Sequence, residues 1–214
     1  MKLSKFIVGL AFMLFPILAL GQTKYNIPEN IPANNGDLEW ITYKTKQGEV
    51  KLDKKGVFIK SSLGRKFGLA QPGCMTYASV PLNMNGDFYI SITFKPDKVN
   101  EDHPIGFVID ATGYGTSFKT ILFDGQFCWY EFGLLPLNKE KYKYVKAKND
   151  FWTVSLVREN EGDYVVYLNG IEANRIPASY KFDNPCVGLF VNNKNSALIT
   201  QVAYEQYSVP ADNE

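Results

Sequence analysis

Residues 151–177, FWTVSLVRENEGDYVVYLNGIEANRIP, constrain the fold more than any other part of the chain. Trp152, Val154 and Leu156 fall on one face of an extended segment and Thr153 and Ser155 on the other, the two-residue period of a half-buried strand. The chain then turns through Glu159-Asn160-Glu161-Gly162, where Gly162 offers a positive φ without a Cβ penalty. Tyr164 to Leu168 reads as a second strand. It ends in Asn169-Gly170, the pair that a type I′ hairpin turn demands because both central residues need positive φ. Ile171 to Ile176 returns as a third strand, and Pro177 closes it because proline cannot donate to a ladder. Such a meander is the expected unit of an antiparallel sandwich.

The rest of the chain repeats the theme. Phe88, Ile90, Ile92 and Phe94 line one face of a strand and Tyr89, Ser91 and Thr93 the other, so one side is core and the other polar and aromatic. Strands are also predicted at Leu38–Tyr43, Val50–Leu52, Val57–Ile59, Met75–Val80, Ile105–Asp110, Phe118–Phe123, Phe127–Phe132, Tyr142–Lys146, Val187–Val191 and Ala197–Tyr207. Asp124-Gly125 is a second type I′ signal, and Asp53-Lys54-Lys55-Gly56 a further hairpin break. Residues 61–73, rich in Gly and Ser, read as a loop or a short edge strand. No long window carries an apolar period of 3.6, so the prediction is all-β, with about a dozen short strands in a two-sheet sandwich.

Residues 1–21 stand apart. Lys2 and Lys5 precede an apolar run from Phe6 to Leu20, and Ala19-Leu20-Gly21 supplies small residues for a signal peptidase. We expect cleavage before Gln22 and an exported chain (periplasmic, cell-surface or secreted) without a membrane span. Residues 22–36 read as an extended lead-in, 37–208 as the sandwich domain and 209–214 as a tail. Loss of Lys2 and Lys5 takes the formal charge from +1 to −1, so nothing electrostatic favours nucleic acid or an anionic membrane. The 13 Tyr and 15 Phe suit strands. Cys74, Cys128 and Cys186 match no zinc or redox spacing. Cys128 reads as a small buried hydrophobe, and in an oxidising compartment a Cys74–Cys186 bridge stays open.

Trp152-Thr153-Val154-Ser155-Leu156, Arg158, a charged turn and Tyr167-Leu168-Asn169-Gly170 resemble the W-x-x-L-x-V-x-R … Y-x-N-G hairpin of the concanavalin A-like lectin/glucanase superfamily, laminin G-like domains included. Val187-Gly188-Leu189-Phe190-Val191 resembles the I-G-L-x-V strand that follows there. Ala203-Tyr204-Glu205-Gln206-Tyr207 stands where such domains carry their last strand. The paired strands around Asp110 and Phe123-Asp124-Gly125-Gln126-Phe127 are also similar. The resemblance covers residues 80–208 well and 37–79 by pattern alone. It implies a two-sheet antiparallel jelly roll, a fold that serves lectins, glycosidases, lyases and adhesion modules alike.

Glycosidases of that fold carry E-x-D-x-x-E on one strand, placing two carboxylates on one face. The nearest match, Glu161-Gly162-Asp163-Tyr164-Val165-Val166, lacks the second glutamate and falls in a turn. Lyase-like members need a clustered Arg, Gln, His and Tyr, and this chain has a single histidine, His103, in a charged loop. The expectation is therefore a non-catalytic module. Sugar binding calls for an aromatic platform flanked by planar hydrogen-bonding groups. Trp129 and Glu131, on one face of their strand with Phe127, are the leading candidates, with Tyr89, Ser91 and Thr93 expected on the same sheet surface. A core Trp129 with Glu131 at the rim is the plainer alternative. The laminin G-like resemblance implies no cofactor beyond a calcium option at a loop rim, for which Asp110 with Asn192 or Asn193 is the candidate set. A turn acid at a strand end is the simpler reading. The lysines of residues 139–148 suit an edge strand guarded against pairing better than a patch for acidic glycans. Expected partners are a glycan or polysaccharide, or alternatively another extracytoplasmic protein.

Overall fold

The computed structural model describes residues 27–44, 46, 48–62, 73–112, 118–132, 136–143 and 150–207. The expected signal segment, residues 1–21, lies outside them. Among the described residues there is no helix, and the strands form two antiparallel sheets packed face to face. In chain order they are β1 (Ile31–Pro32), β2 (Trp40–Lys44), β3 (Gly48–Asp53), β4 (Gly56–Ser61), β5 (Cys74–Ser79), β6 (Phe88–Pro96), β7 (Ile105–Ala111) and β8 (Phe118–Phe123). The second half comprises β9 (Phe127–Phe132), β10 (Pro136–Lys141), β11 (Trp152–Arg158), β12 (Tyr164–Leu168), β13 (Ile171–Ile176), β14 (Pro185–Val191) and β15 (Ser196–Gln206).

The eight-stranded sheet runs β13-β12-β11-β6-β15-β4-β3, with β1 against the second half of β15; the seven-stranded sheet runs β10-β9-β8-β7-β14-β5-β2. This is the two-sheet antiparallel sandwich that the alternation predicted, consistent with the jelly roll that the resemblance implied. Its core takes Phe88, Ile90, Ile92 and Phe94 from β6 and Val154 and Leu156 from β11. They meet Phe107 and Ile109 of β7, Ile121 and Phe123 of β8 and Leu189 of β14, all without exposed surface. Burial of each such side chain contributes about 1.5–3 kcal/mol. Trp152 belongs to this core, stacked at 5.4 Å on Phe123. Smaller clusters sit on the outer faces. Met75, Tyr77, Val108 and Phe190 form one on the seven-stranded sheet; Tyr89, Val157, Ala203 and Tyr207 form another on the eight-stranded sheet, with Tyr167 against it.

The hairpins follow the sequence unevenly. Asn169 (φ 49°) and Gly170 (φ 80°) make the expected left-handed pair. Asp124-Gly125 does not: only Gly125 has positive φ, and Asp124 Oδ1 accepts the N–H of Gln126 (3.0 Å) and Phe127 (2.8 Å), giving a side-chain-capped three-residue connection. In the β11–β12 turn the left-handed residues are Asn160 and Glu161, both at φ 53°, and not Gly162. Glu161 holds this conformation, which costs an L-residue about 1–2 kcal/mol, because the turn is clamped from outside. Buried Asp87 accepts the N–H of Asn160 (2.8 Å) and Glu161 (2.9 Å).

Two strands escaped the pattern. β1 lies within the expected lead-in, and Ala33 beyond it is fully buried. β10 carries Pro, Asn, Lys and Glu, residues of low strand propensity, and exists because it pairs with β9 around a bulge at Asn138 (φ 48°). The strand expected at Tyr142–Lys146 begins after β10 has ended: Tyr142 and Lys143 lie outside any strand, and residues 144–146 fall outside the described residues. β10 forms one edge of its sheet, where Lys139 and Lys141 stand.

Candidate functional site

The sequence candidates separate onto opposite sides of the sandwich. Trp129 and Glu131 lie on β9, on the outer face of the seven-stranded sheet, whereas Tyr89, Ser91 and Thr93 lie on β6, on the outer face of the eight-stranded one. The single surface expected from alternation is thus corrected, because alternation fixes a face of a strand but not the sheet to which it belongs. Trp129 keeps only 5% of its surface exposed. Lys139 lies 4.8 Å from its ring centroid and 4.6 Å from that of Phe127, and the indole Nε1 donates to Glu131 Oε1 at 3.1 Å. Ser91, at 2% exposure, is enclosed; Tyr89 Oη pairs with Ser155 Oγ at 3.1 Å and Thr93 with Thr153 at 2.9 Å.

Burial raises the Glu131 carboxyl above its usual 4.5, opposed by the Trp129 N–H. A raised folded value means the native state holds a proton that the unfolded chain releases. Stability is therefore full below the unfolded value and declines as pH rises through the folded one. Glu131→Gln, which keeps an acceptor for the indole, is expected to flatten that decline, so that its melting temperature gains on the parent between pH 4 and pH 7. Parallel melts that do not diverge over this range would show that Glu131 is ionised at no cost.

The calcium set is also corrected. Asp110 pairs with Pro185 at one end of the β7–β14 ladder, and Asn192 follows Val191, which pairs with Ile105 at the other end. Five residues of strand, ~17 Å, separate them, too far to share one ion. Asp110 is instead a buried acid holding Lys119 Nζ at 2.8 Å and the N–H of Asp183 at 2.9 Å. Among the described residues no three of His, Cys, Asp or Glu cluster as metal ligands. The Cys74–Cys186 bridge fails for the same reason: on the β5–β14 ladder Cys74 faces Val191 and Cys186 faces Ser79. The three thiols are free and buried, and burial pushes the Cys74 thiol up to about 11. His103 sits in its loop with Nδ1 2.8 Å from Asn100 Oδ1.

What the fold does assemble lies around the edge strand β13. A bulge opposite Val166 and Tyr167 sets Glu172 across from Tyr167 and Arg175 across from Val165. Residues three apart on a regular strand would point to opposite faces. The bulge brings Glu172 and Arg175 onto one face, where the carboxylate takes Nε at 2.7 Å and Nη2 at 2.9 Å. Beside them opens a basin of about 240 Å³ lined by Tyr167, Arg175, Glu159, Asn160 and Asp163 over a floor of Val157 and Val165. Tyr167 is half-buried and backed by the cluster of Tyr89, Val157 and Tyr207. Burial, then the charge of Asp87, raises the Glu159 carboxyl. An aromatic ring, two carboxylates, an amide and a guanidinium thus converge on one open surface. The sequence contained part of this: Val165 and Tyr167 alternate onto one face. The bulge that adds Arg175 has no local signature.

On the other side of β13, between it and β10, a second open trough of about 340 Å³ is bordered by Asn138, Glu140, Tyr142, Lys143 and Arg175. Its floor is a double amide clasp across the two sheets. Asn138 Nδ2 donates to Asn174 Oδ1 at 2.9 Å, and Asn174 Nδ2 donates to the carbonyls of Asn138 and Cys128, both at 2.8 Å.

No protein-family model matches this chain, and no curated protein matches it. Solved structures resemble it in shape. A carbohydrate-binding module, CBM66 from Bacillus subtilis, is 14% identical with a TM-score of 0.52, covering 78% of this chain and 94% of that one. The carbohydrate recognition domain of Emp47p is 12% identical with a TM-score of 0.52 over 83% and 93% of the two chains. A native glycosidic hydrolase is 14% identical with a TM-score of 0.55 over 88% and 100%. These likenesses show a shared two-sheet β-sandwich fold.

Proposed function

We propose that this chain is an exported, non-catalytic glycan-binding module whose sugar site is the basin between Tyr167 and Arg175. The convergence of ring, carboxylates, amide and guanidinium on a solvent-open sheet surface carries the reading. Tyr167 offers an apolar face for a sugar ring. Glu159 and Asp163 accept hydrogen bonds from hydroxyls, and Asn160 and Arg175 donate them. The sandwich likeness to a carbohydrate-binding module and a carbohydrate recognition domain supports the assignment. The carboxylates belong to a turn and its flanks, not to one strand face, which favours binding over hydrolysis. The basic start and apolar run of residues 2–20 support export. Among the described residues no helix is long and apolar enough to cross a membrane.

The test is calorimetric titration of the purified protein with a panel of neutral and acidic oligosaccharides, with the mixtures then analysed for cleavage products. A neutral saccharide should bind, and Tyr167→Ala and Arg175→Ala should each weaken it roughly tenfold or more, about 1.4 kcal/mol, with unchanged circular dichroism. Arg175 is exposed, so its variant stays informative if Tyr167→Ala loosens the fold. A panel without a binder, or binding indifferent to both substitutions, would remove the sugar site and favour a protein partner. Cleavage products would overturn the non-catalytic part.

A further inference from the structure

The geometry points to the two depressions around β13 acting as one track that holds an internal stretch of a neutral glycan chain, three or more sugar units long. This rests on the sugar-binding reading of the Tyr167 basin and extends it. Arg175 lines both depressions, so they meet at its side chain. Its bidentate pairing with Glu172 uses two of its five N–H groups. The others take no partner among the described residues. The pairing fixes the guanidinium plane, so the donors at the junction are oriented before a ligand arrives.

Three observations define the ligand. Both depressions are open troughs, which suits a chain passing through and not a terminal unit enclosed in a pocket. Their charges nearly cancel: Glu159, Asp163, Glu140 and Glu172 stand against Lys141, Lys143 and Arg175. An acidic polymer would meet repulsion at the Tyr167 end, and a polycation gains nothing at the lysine end. The floor of the second trough is built of amides, the Asn138–Asn174 clasp that ties the sheets together there. An extended peptide adding to these edges is the competing occupant. Bulges in the β10–β9 and β13–β12 ladders and the lysines of β10 disfavour strand addition, so the glycan chain is favoured.

The experiment is titration of the full chain with neutral homo-oligosaccharides of one to six units from the polysaccharide that binds, comparing the parent with a Glu140→Ala/Lys143→Ala double variant. Both positions are exposed and outside the Tyr167 basin. Affinity is expected to climb at least tenfold from the disaccharide to the hexasaccharide. The double variant should lose most of that gain while binding the disaccharide normally. An affinity that levels off at one or two units, or a hexasaccharide indifferent to the double variant, overturns the track and leaves the Tyr167 site standing. Failure of every length to bind overturns the sugar-binding reading itself.

Discussion

Gly188→Ala is expected to remove a large part of the domain's stability. Gly188 lies within β14, between β5 and β7 in the seven-stranded sheet, paired with Tyr77 on one side and Val108 on the other. A Cβ there would stand 2.2 Å from the carbonyl oxygen of Thr76 and 2.5 Å from Tyr77 Cβ. Neither obstacle is the free end of a flexible side chain, so relief requires parting β14 from β5. A cost of ~4 kcal/mol or more is expected, against a total stability of about 5–15 kcal/mol for a domain. Gly36→Ala is the control, since nothing lies within 4 Å of a Cβ at that site, and it should stay within ~0.5 kcal/mol of the parent. Urea melts of the two variants decide the matter. A Gly188→Ala protein with the parent's midpoint would mean that the β5–β14 pairing is looser than described.

The second large effect is expected at Arg158. Its side chain is buried at the end of β11 and binds backbone carbonyls from two segments. Nε donates to Gly162 and Nη2 to Glu161, both at 3.0 Å, and Nη1 donates to Asn85. The guanidinium also lies 4.8 Å from the Tyr164 ring centroid. Arg158 therefore ties the left-handed turn to the loop before β6, from which Asp87 holds the same turn by its N–H groups. Arg158→Ala strands three carbonyls and is expected to cost about 3–5 kcal/mol. Arg158→Lys retains the charge but not the planar fork, so it should recover less than half of the loss. Equal melting of Arg158→Lys and the parent would show that charge alone suffices. The Tyr167 basin opens beside this turn, through Glu159 and Asn160, so loosening the clamp should also weaken any sugar bound there.

Much of the fold was legible because strand alternation is a local property. The inward rows Phe88-Ile90-Ile92-Phe94 and Trp152-Val154-Leu156 were visible at once, as was the Asn169-Gly170 turn. Turn geometry was less legible. Gly162 and Asp124 carry the residue types of left-handed positions, yet Asn160 and Glu161 adopt that conformation. Arg158 beside the turn holds the carbonyls of Glu161 and Gly162, but the N–H groups of Asn160 and Glu161 are held by Asp87, more than seventy residues away in sequence, which no local pattern reveals. Weak strands were invisible: β10 owes its conformation to β9 and not to its own residues.

The sequence by itself determined the all-β sandwich, the inward and outward face of each strong strand, the burial of Cys128 and Trp152 and the location of the main hairpins. These follow from the two-residue period and from steric limits on φ, which act between near neighbours. Only the tertiary structure decided which sheet each face belongs to. That assignment sent Tyr89 and Trp129 to opposite sides, and the ladder register put Asp110 and Asn192, and Cys74 and Cys186, at opposite ends of paired strands. It also decided that a bulge in β13 would set Arg175 beside Glu172 and Tyr167. The physical reason is the same throughout: hydrogen-bonded register is fixed by pairing between distant segments, and a one-residue slip exchanges the two faces of a strand.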